Sequence, residues 1–365
     1  MFFLCGREFL LLFVKGFLLS TRILLQNVVY LHYIYIIMNH TLKNRILLCL
    51  CVVCSVALLR AQDAGTAFQF LQLPVSSHAA ALGGDNVSVI EDDAELSYHN
   101  PALLTNVVGR TLSLNYMNYL QRTNAMGAGY TMEVGSRSAL GLKAQYLDFG
   151  TMKNTDVDGN ILGDFSAKDM LLMGTYSFDF SDRLTGGVSG KFVYSNYEQV
   201  YSLALGVDLG LNYYNPERML SLSLVARNLG GQVKSFDETQ ESLPFNLLVG
   251  VSKNLAHAPV RLSLTLTDLH KWQAEDFYNS SDNTWSALLL KHFIVGADIF
   301  PTPSTYLSLG YNFLLHSELK NHAKRSLEGL SLGAGLQVRS VKVGVSYGKY
   351  HVAASSLMMN FALAL

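Results

Sequence analysis

VYSLALGVDLGLNYY, residues Val200–Tyr214, alternates from end to end. Tyr201, Leu203, Leu205, Val207, Leu209, Leu211 and Tyr213 fall on one side, and Ser202, Ala204, Gly206, Asp208, Gly210 and Asn212 on the other. A side-chain period of two belongs to a β-strand. An apolar face backed by small and polar residues suits a strand with lipid outside and a hydrated or plugged lumen inside.

The same alternation recurs at Leu112, Leu114 and Tyr116; at Leu140, Leu142, Ala144 and Tyr146; at Leu184, Val188, Phe192 and Tyr194; and at Val341, Val343, Val345 and Tyr347. Composition agrees, since half of the 365 residues are apolar and only 15% are charged, against roughly 25% in soluble domains. Beyond the N-terminus no apolar run approaches the ~20 residues of a spanning helix, so a closed barrel is the way left to cross a bilayer. The net charge of −1 gives no argument for nucleic acid as a partner.

Marking strands by this period gives about 14 of them, near the ~9–11 residues or more that a tilted membrane strand needs. With the first at Arg110–Tyr119, connections after even strands are mostly tight: Gly135-Ser136, Ser181-Asp182, Asn215-Pro216-Glu217, Pro301-Thr302-Pro303 and Arg339-Ser340. Several after odd strands are long: Asp148 to Ala167, Leu229 to Ser242, Asp268 to Ser286 and His316 to Ser326. Short turns at one end and long loops at the other match the periplasmic and extracellular ends of an outer-membrane barrel. Tyr116, Tyr119, Tyr194, Tyr213 and Tyr350, near strand ends, are expected in the aromatic girdles at the membrane interfaces. The expected class is all-β, a transmembrane antiparallel barrel over 109–365 in contact with outer-membrane lipid.

The N-terminal third is organised differently. Residues 38–61 read as a signal peptide, with Lys43 and Arg45 ahead of the apolar run Ile46–Leu59 and cleavage after Ala61. Residues 1–37 read as translation from a start codon chosen upstream of Met38, with a signal anchor as the alternative. The four cysteines, Cys5, Cys49, Cys51 and Cys54, all precede Ala61, so the exported chain has neither a disulfide framework nor a cysteine-based site. Residues 62–108 read as a plug that folds into the lumen.

Chemistry has few footholds. Glu91, Asp92, Asp93 and Glu95 could be an acid/base cluster, but that work needs two carboxylates in different environments. A consecutive run instead marks a helix start, with Asp92 or Asp93 as N-cap of a short helix from Ala94 to about His99, ended by Asn100-Pro101. NTDVDGN (Asn154–Asn160) begins like a calcium loop, yet Phe165 stands where the bidentate glutamate belongs, so a polar turn is the expectation. Gly83-Gly84 lacks the later glycines and lysine of a phosphate loop. The histidines are scattered without metal-ligand spacing. Asp268 and His270 are the first pair to inspect for a barrel-mounted hydrolase, and nothing near them resembles a nucleophile elbow. The expectation is a protein without catalytic residues, cofactor or metal.

FLQLPVSSHAAALGGDNVSVIEDDAELSYHNPALL, Phe70–Leu104, resembles the N-terminal motif of the PorV/PorQ outer-membrane barrels of the Bacteroidetes type IX secretion system, relatives of the FadL family, in the form nearest the PorQ branch. The positions that carry it are Leu73, Pro74, Gly83, Gly84, Asp92, Asp93, Asn100 and Pro101, and His78 departs from it where arginine is expected. The resemblance implies a fourteen-stranded FadL-like barrel with a luminal plug. It also implies a non-enzymatic role: anchoring a PorZ-like surface protein in the cargo-attachment complex, with the sortase PorU and PorV as fellow members. The alternative from another class is a FadL-like channel for hydrophobic small molecules, which needs an apolar pocket between plug and wall and a lateral opening such as a kinked strand. Trp272, Phe277, Tyr278 and Trp285, in the loop from Asp268 to Ser286, form the candidate partner surface, since Trp and Tyr are the types enriched at interface hot spots.

Overall fold

The computed structural model describes residues 67–365 apart from 121, 159, 199, 238, 278–283, 320–327 and 352–353. Residues 1–37 and the expected signal peptide at 38–61 lie outside the described residues. The strands are β1 (Thr111–Leu120), β2 (Thr123–Glu133), β3 (Ser138–Thr155), β4 (Ile161–Ser181), β5 (Leu184–Tyr197), β6 (Val200–Asn215) and β7 (Leu220–Lys234). They continue with β8 (Asn246–Asn254), β9 (Val260–Leu266), β10 (Phe293–Thr302), β11 (Thr305–Asn312), β12 (Leu330–Val338), β13 (Val341–His351) and β14 (Ala354–Ala364). Each pairs with its sequence neighbours, and β1 closes antiparallel on β14, giving a closed barrel of fourteen strands. Among the described residues no helix is long and apolar enough to cross a membrane.

Alternation sorts the two faces of the wall. Leu112, Leu142, Leu172, Phe192, Leu205 and Leu224 are exposed on the outside, while Ser113, Lys143, Thr175, Lys191, Asp208 and Ser223 are buried on the inside. Tyr116 and Tyr213 do face outward. Tyr119 and Tyr350, expected in the girdle, instead turn inward and pack with Ala80, Met117 and Met358. Strand parity explains it: Tyr119 shares the inward set of Ser113, Asn115 and Met117. Tyr347 takes the outward place on β13.

The wall is tall on one side and low on the other. β3 and β4 run 18 and 21 residues, whereas β9 and β11 run 7 and 8. Two of the expected long loops are corrected. Asp148–Ala167 is largely strand, with β3 and β4 continuing past their other neighbours as a two-stranded ribbon: β2 reaches only Asp148, and β5 only Ala167. Leu229–Lys234 belongs to β7, so that connection begins at residue 235. On the low side the connections are long and carry α2 (Trp285–Lys291) and α3 (Phe313–Leu319).

Residues 67–108 lie inside the wall. They form 3-10 turns at Gln69–Gln72, Ala94–Tyr98 and Pro101–Asn106, and one short helix, α1 (Ser77–Ala81). α1 packs against β11–β14, and the last 3-10 turn packs against β3–β6 on the far side.

Candidate functional site

The plug is built by local rules and fixed by distant charges. Ser76 caps α1, its hydroxyl accepting from Ala79 N at 3.3 Å. Leu73 ends the first 3-10 turn in extended backbone, and Pro74 behind it is buried. Gly83 and Gly84 have φ of 107° and 98°, a region other L-residues rarely adopt. Their turn is also pressed to the wall, for a Cβ on Gly83 would collide with Ile294, and one on Gly310 with the backbone of Leu82-Gly83.

The acids of the plug do more than mark a helix start. Asp93 heads the Ala94–Tyr98 turn, accepting from Glu95 N at 2.9 Å. Asp92 is not part of that cap: it pairs with Lys342 on β13 and accepts from Val108 N. The segment after it is a 3-10 turn, and Asn100 both lies beyond its end and caps the next one, accepting from Ala102 N at 2.9 Å. The other carboxylates also find cations on separate strands: Asp85 with Arg227 on β7, Glu91 with Arg261 on β9 at 2.7 Å, and Glu95 with Lys143 on β3 at 2.8 Å.

His78 sits at the most connected of these ties. Its ring nitrogens lie 2.8 Å from Glu91 and 2.9 Å from Asp298, and its face stacks on Tyr306 at 3.9 Å. Burial alone would depress its pKa, but Glu91 and Asp298 reverse this and raise it to about 10. Burial would likewise push the Glu91 carboxyl up, yet His78 and Arg261 outweigh it and hold it at about 2. Held between these two carboxylates, His78 is favoured in its charged form. A second knot joins Asp85 to His99 at 2.7 Å and to Arg227. Beside it Lys191 pairs with Asp208 at 2.7 Å, and Tyr98 lies between Lys143 and Lys191, its ring centre 5.8 and 5.1 Å from the two ammonium groups. Buried ions persist only when paired and hydrogen-bonded, so these knots fix the plug's position closely.

Above them the lumen turns apolar. Phe68, Leu71, Val75 and Tyr98 of the plug pack with Leu171, Met173, Val193 and Ala204 of β4–β6 and with Leu243 of the β7–β8 connection. Here β7 bulges: Val207 pairs with Leu229 but Leu209 with Ala226, and Asn228 takes a left-handed φ of 57°. The Asn228 amide is held inside, its N–H donating to Asp208 at 2.7 Å and its side-chain oxygen accepting from Lys191 at 2.7 Å.

At the same end of the barrel, on its low side, the candidate partner residues are only partly brought together. Trp272 is half-exposed, donates to Leu269 O at 2.7 Å and lies against the His292 ring. Phe277 is 5% exposed and packs edge-on to the same His292 ring, so it is packing and not surface. Trp285 is 71% exposed at the start of α2, and Tyr278 lies outside the described residues. The NTDVDGN stretch is a turn at the ribbon tip, with the Asp156 carboxylate taken by Asp158 N and Asn160 N. Asp268 is engaged by Lys271 and Thr267, while His270 packs on Phe245.

Arg261 and Asp298, central to the His78 knot, are absent from the sequence reading. The signal was available, since strand parity groups Arg261 with Ser263 and Thr265 on an inward face.

No family model matches the chain, and no curated protein matches it. Solved structures do. The toluene transporter TodX of Pseudomonas putida is 13% identical over 80% of this chain and 97% of its own, with a TM-score of 0.50. A TodX monoaromatic hydrocarbon channel mutant, deltaS2, is likewise 13% identical over 81% and 98%, with a TM-score of 0.50. Likeness at this identity is likeness of fold: the chain is a closed fourteen-stranded antiparallel β-barrel whose fold resembles that of TodX.

Proposed function

We propose that the chain is a non-enzymatic membrane anchor of the PorV/PorQ kind, holding a PorZ-like surface protein in the attachment complex of a type IX secretion system alongside PorV and the sortase PorU. The observation that carries this reading is the tethered plug, whose carboxylates are tied to cations on β3, β7, β9 and β13. An anchor needs a rigid wall and an outer surface, and no path through the middle. The Phe70–Leu104 motif supports the same reading, as does the surface offered by the β3–β4 ribbon and the loop bearing Trp272 and Trp285.

A FadL-like channel for hydrophobic small molecules is the second reading. The structural neighbours favour it over the anchor, because those with a TM-score of 0.50 are named as a toluene transporter and a monoaromatic hydrocarbon channel. The bulge in β7 beside an apolar stretch of lumen also favours it. Initial rates of labelled fatty acid entry into proteoliposomes separate the two. The anchor reading expects the rate of protein-free liposomes, and a protein-dependent rate would replace it with the channel.

A further inference from the structure

The β1–β14 pair is the one junction where the wall joins strands that are distant in sequence. Its ladder runs from Thr111↔Ala364 to Asn118↔Leu357. At its centre Asn115 and Asn360 are direct partners facing the lumen. Their amides turn to the plug. Asn360 accepts from Ser77 N at 2.5 Å and donates to Val75 O at 3.1 Å. Asn115 donates to Glu95 at 3.3 Å, and that carboxylate is held in turn by Lys143 on β3.

The two plug segments that receive these bonds are themselves joined. Ser76 Oγ donates to the Asp93 carboxylate at 3.0 Å, and Asp93 accepts from Glu95 N. A polar path therefore arches over the seam from β14 to β1 by way of Asn360, Ser76, Asp93, Glu95 and Asn115. Lys342 on β13 pairs with Asp92, and Tyr350, also on β13, donates to Ala80 O at 3.1 Å, broadening the grip beside the seam.

We propose that the plug is an internal clasp across the β1–β14 seam, so that filling the lumen and closing the barrel are one event. A plug that merely occupied space would have no need to address both seam strands at one register position. Each buried bond lost leaves a polar partner unsatisfied, which is the costly case.

The test uses the full chain in detergent, reading the temperature at which it loses its folded mobility on unheated-sample gels. Asn115→Leu with Asn360→Leu, and separately Ser76→Ala with Asp93→Asn, should each lower that temperature by roughly 5–10 °C. No cysteine follows Cys54, so introduced pairs are unambiguous in the exported chain. Leu114→Cys with Phe361→Cys links the seam, whereas Leu172→Cys with Phe192→Cys links the β4–β5 hairpin as a control; both are cross-strand partners. The clasp requires the seam link, and not the hairpin link, to restore the lost stability, or to restore assembly where a variant fails to assemble. An unchanged transition in the clasp variants overturns the proposal, as does equal rescue by both links or rescue by neither.

Discussion

At the scale of residues, the account rests on charges that the fold collects from afar. Breaking a buried pair by removing one partner costs about 3–5 kcal/mol, because the other charge is left uncompensated. Lys143→Met should therefore destabilise the purified barrel by about 3 kcal/mol, and adding Glu95→Gln should recover most of the loss in the same denaturation series. The His78–Glu91 tie gives a pH signature. His78 is raised to about 10, so its contribution is fully present below the ordinary value of ~6.5 and disappears as pH rises through about 10. Glu91 is held at about 2, so its share is full above ~4.3 and disappears as pH falls toward about 2. The melting-temperature gap between the wild-type chain and His78→Gln should be widest between these limits and shrink toward pH 10. A gap that stays constant from pH 6 to 10 would rule out a charged His78.

Those pairings were hidden in the sequence. Asp85, Glu91, Asp92 and Glu95 stand close together, but their partners are Arg227, Arg261, Lys342 and Lys143, and no local pattern joins residues so far apart. A run of acids at a turn reads as capping, and Asp93 does cap. The inward turn of Tyr119 and Tyr350 is legible, by contrast, in strand parity, which sets both against the outward residues of their strands.

At the scale of elements, the strands were legible wherever lipid enforces the alternation, as in Val200–Tyr214. The signal faded in Phe149–Thr155 and Ile161–Ser166, which stand beyond the neighbouring strands with neither face buried. With no lipid face to keep apolar, polar residues and Gly150 imitate a loop. This ribbon ends in exposed Val157, Ile161 and Leu162, and among the described residues its outer edges have no strand partner there. Unpaired strand edges are templates for an added strand. On the anchor reading, Val157→Ser with Ile161→Ser and Leu162→Ser should reduce recovery of the surface partner at least severalfold while leaving the melting temperature within a few degrees. Recovery equal to wild type would exclude the ribbon as the contact. Trp272→Ala with Trp285→Ala puts the same question to the low side of the wall. Phe277→Ala does not, because a buried phenylalanine lowers stability when truncated, by about 3 kcal/mol or more.

At the scale of the whole molecule, the class of fold was legible because a membrane barrel leaves few options: no spanning helix, a period of two, and tight turns at one end. The lumen's contents were less so, since whether a plug blocks, gates or braces depends on contacts that sequence spacing does not encode. Its carboxylates tie the plug to four strands of the wall, and the β3–β4 ribbon and the loop bearing Trp272 and Trp285 stand at the rim. The central claim is that this surface holds a partner. Affinity purification of the tagged full chain from outer membranes of the native host, followed by mass spectrometry, tests it most directly. The account predicts stoichiometric recovery of a surface protein together with sortase-like companions, and recovery of the barrel alone would contradict it.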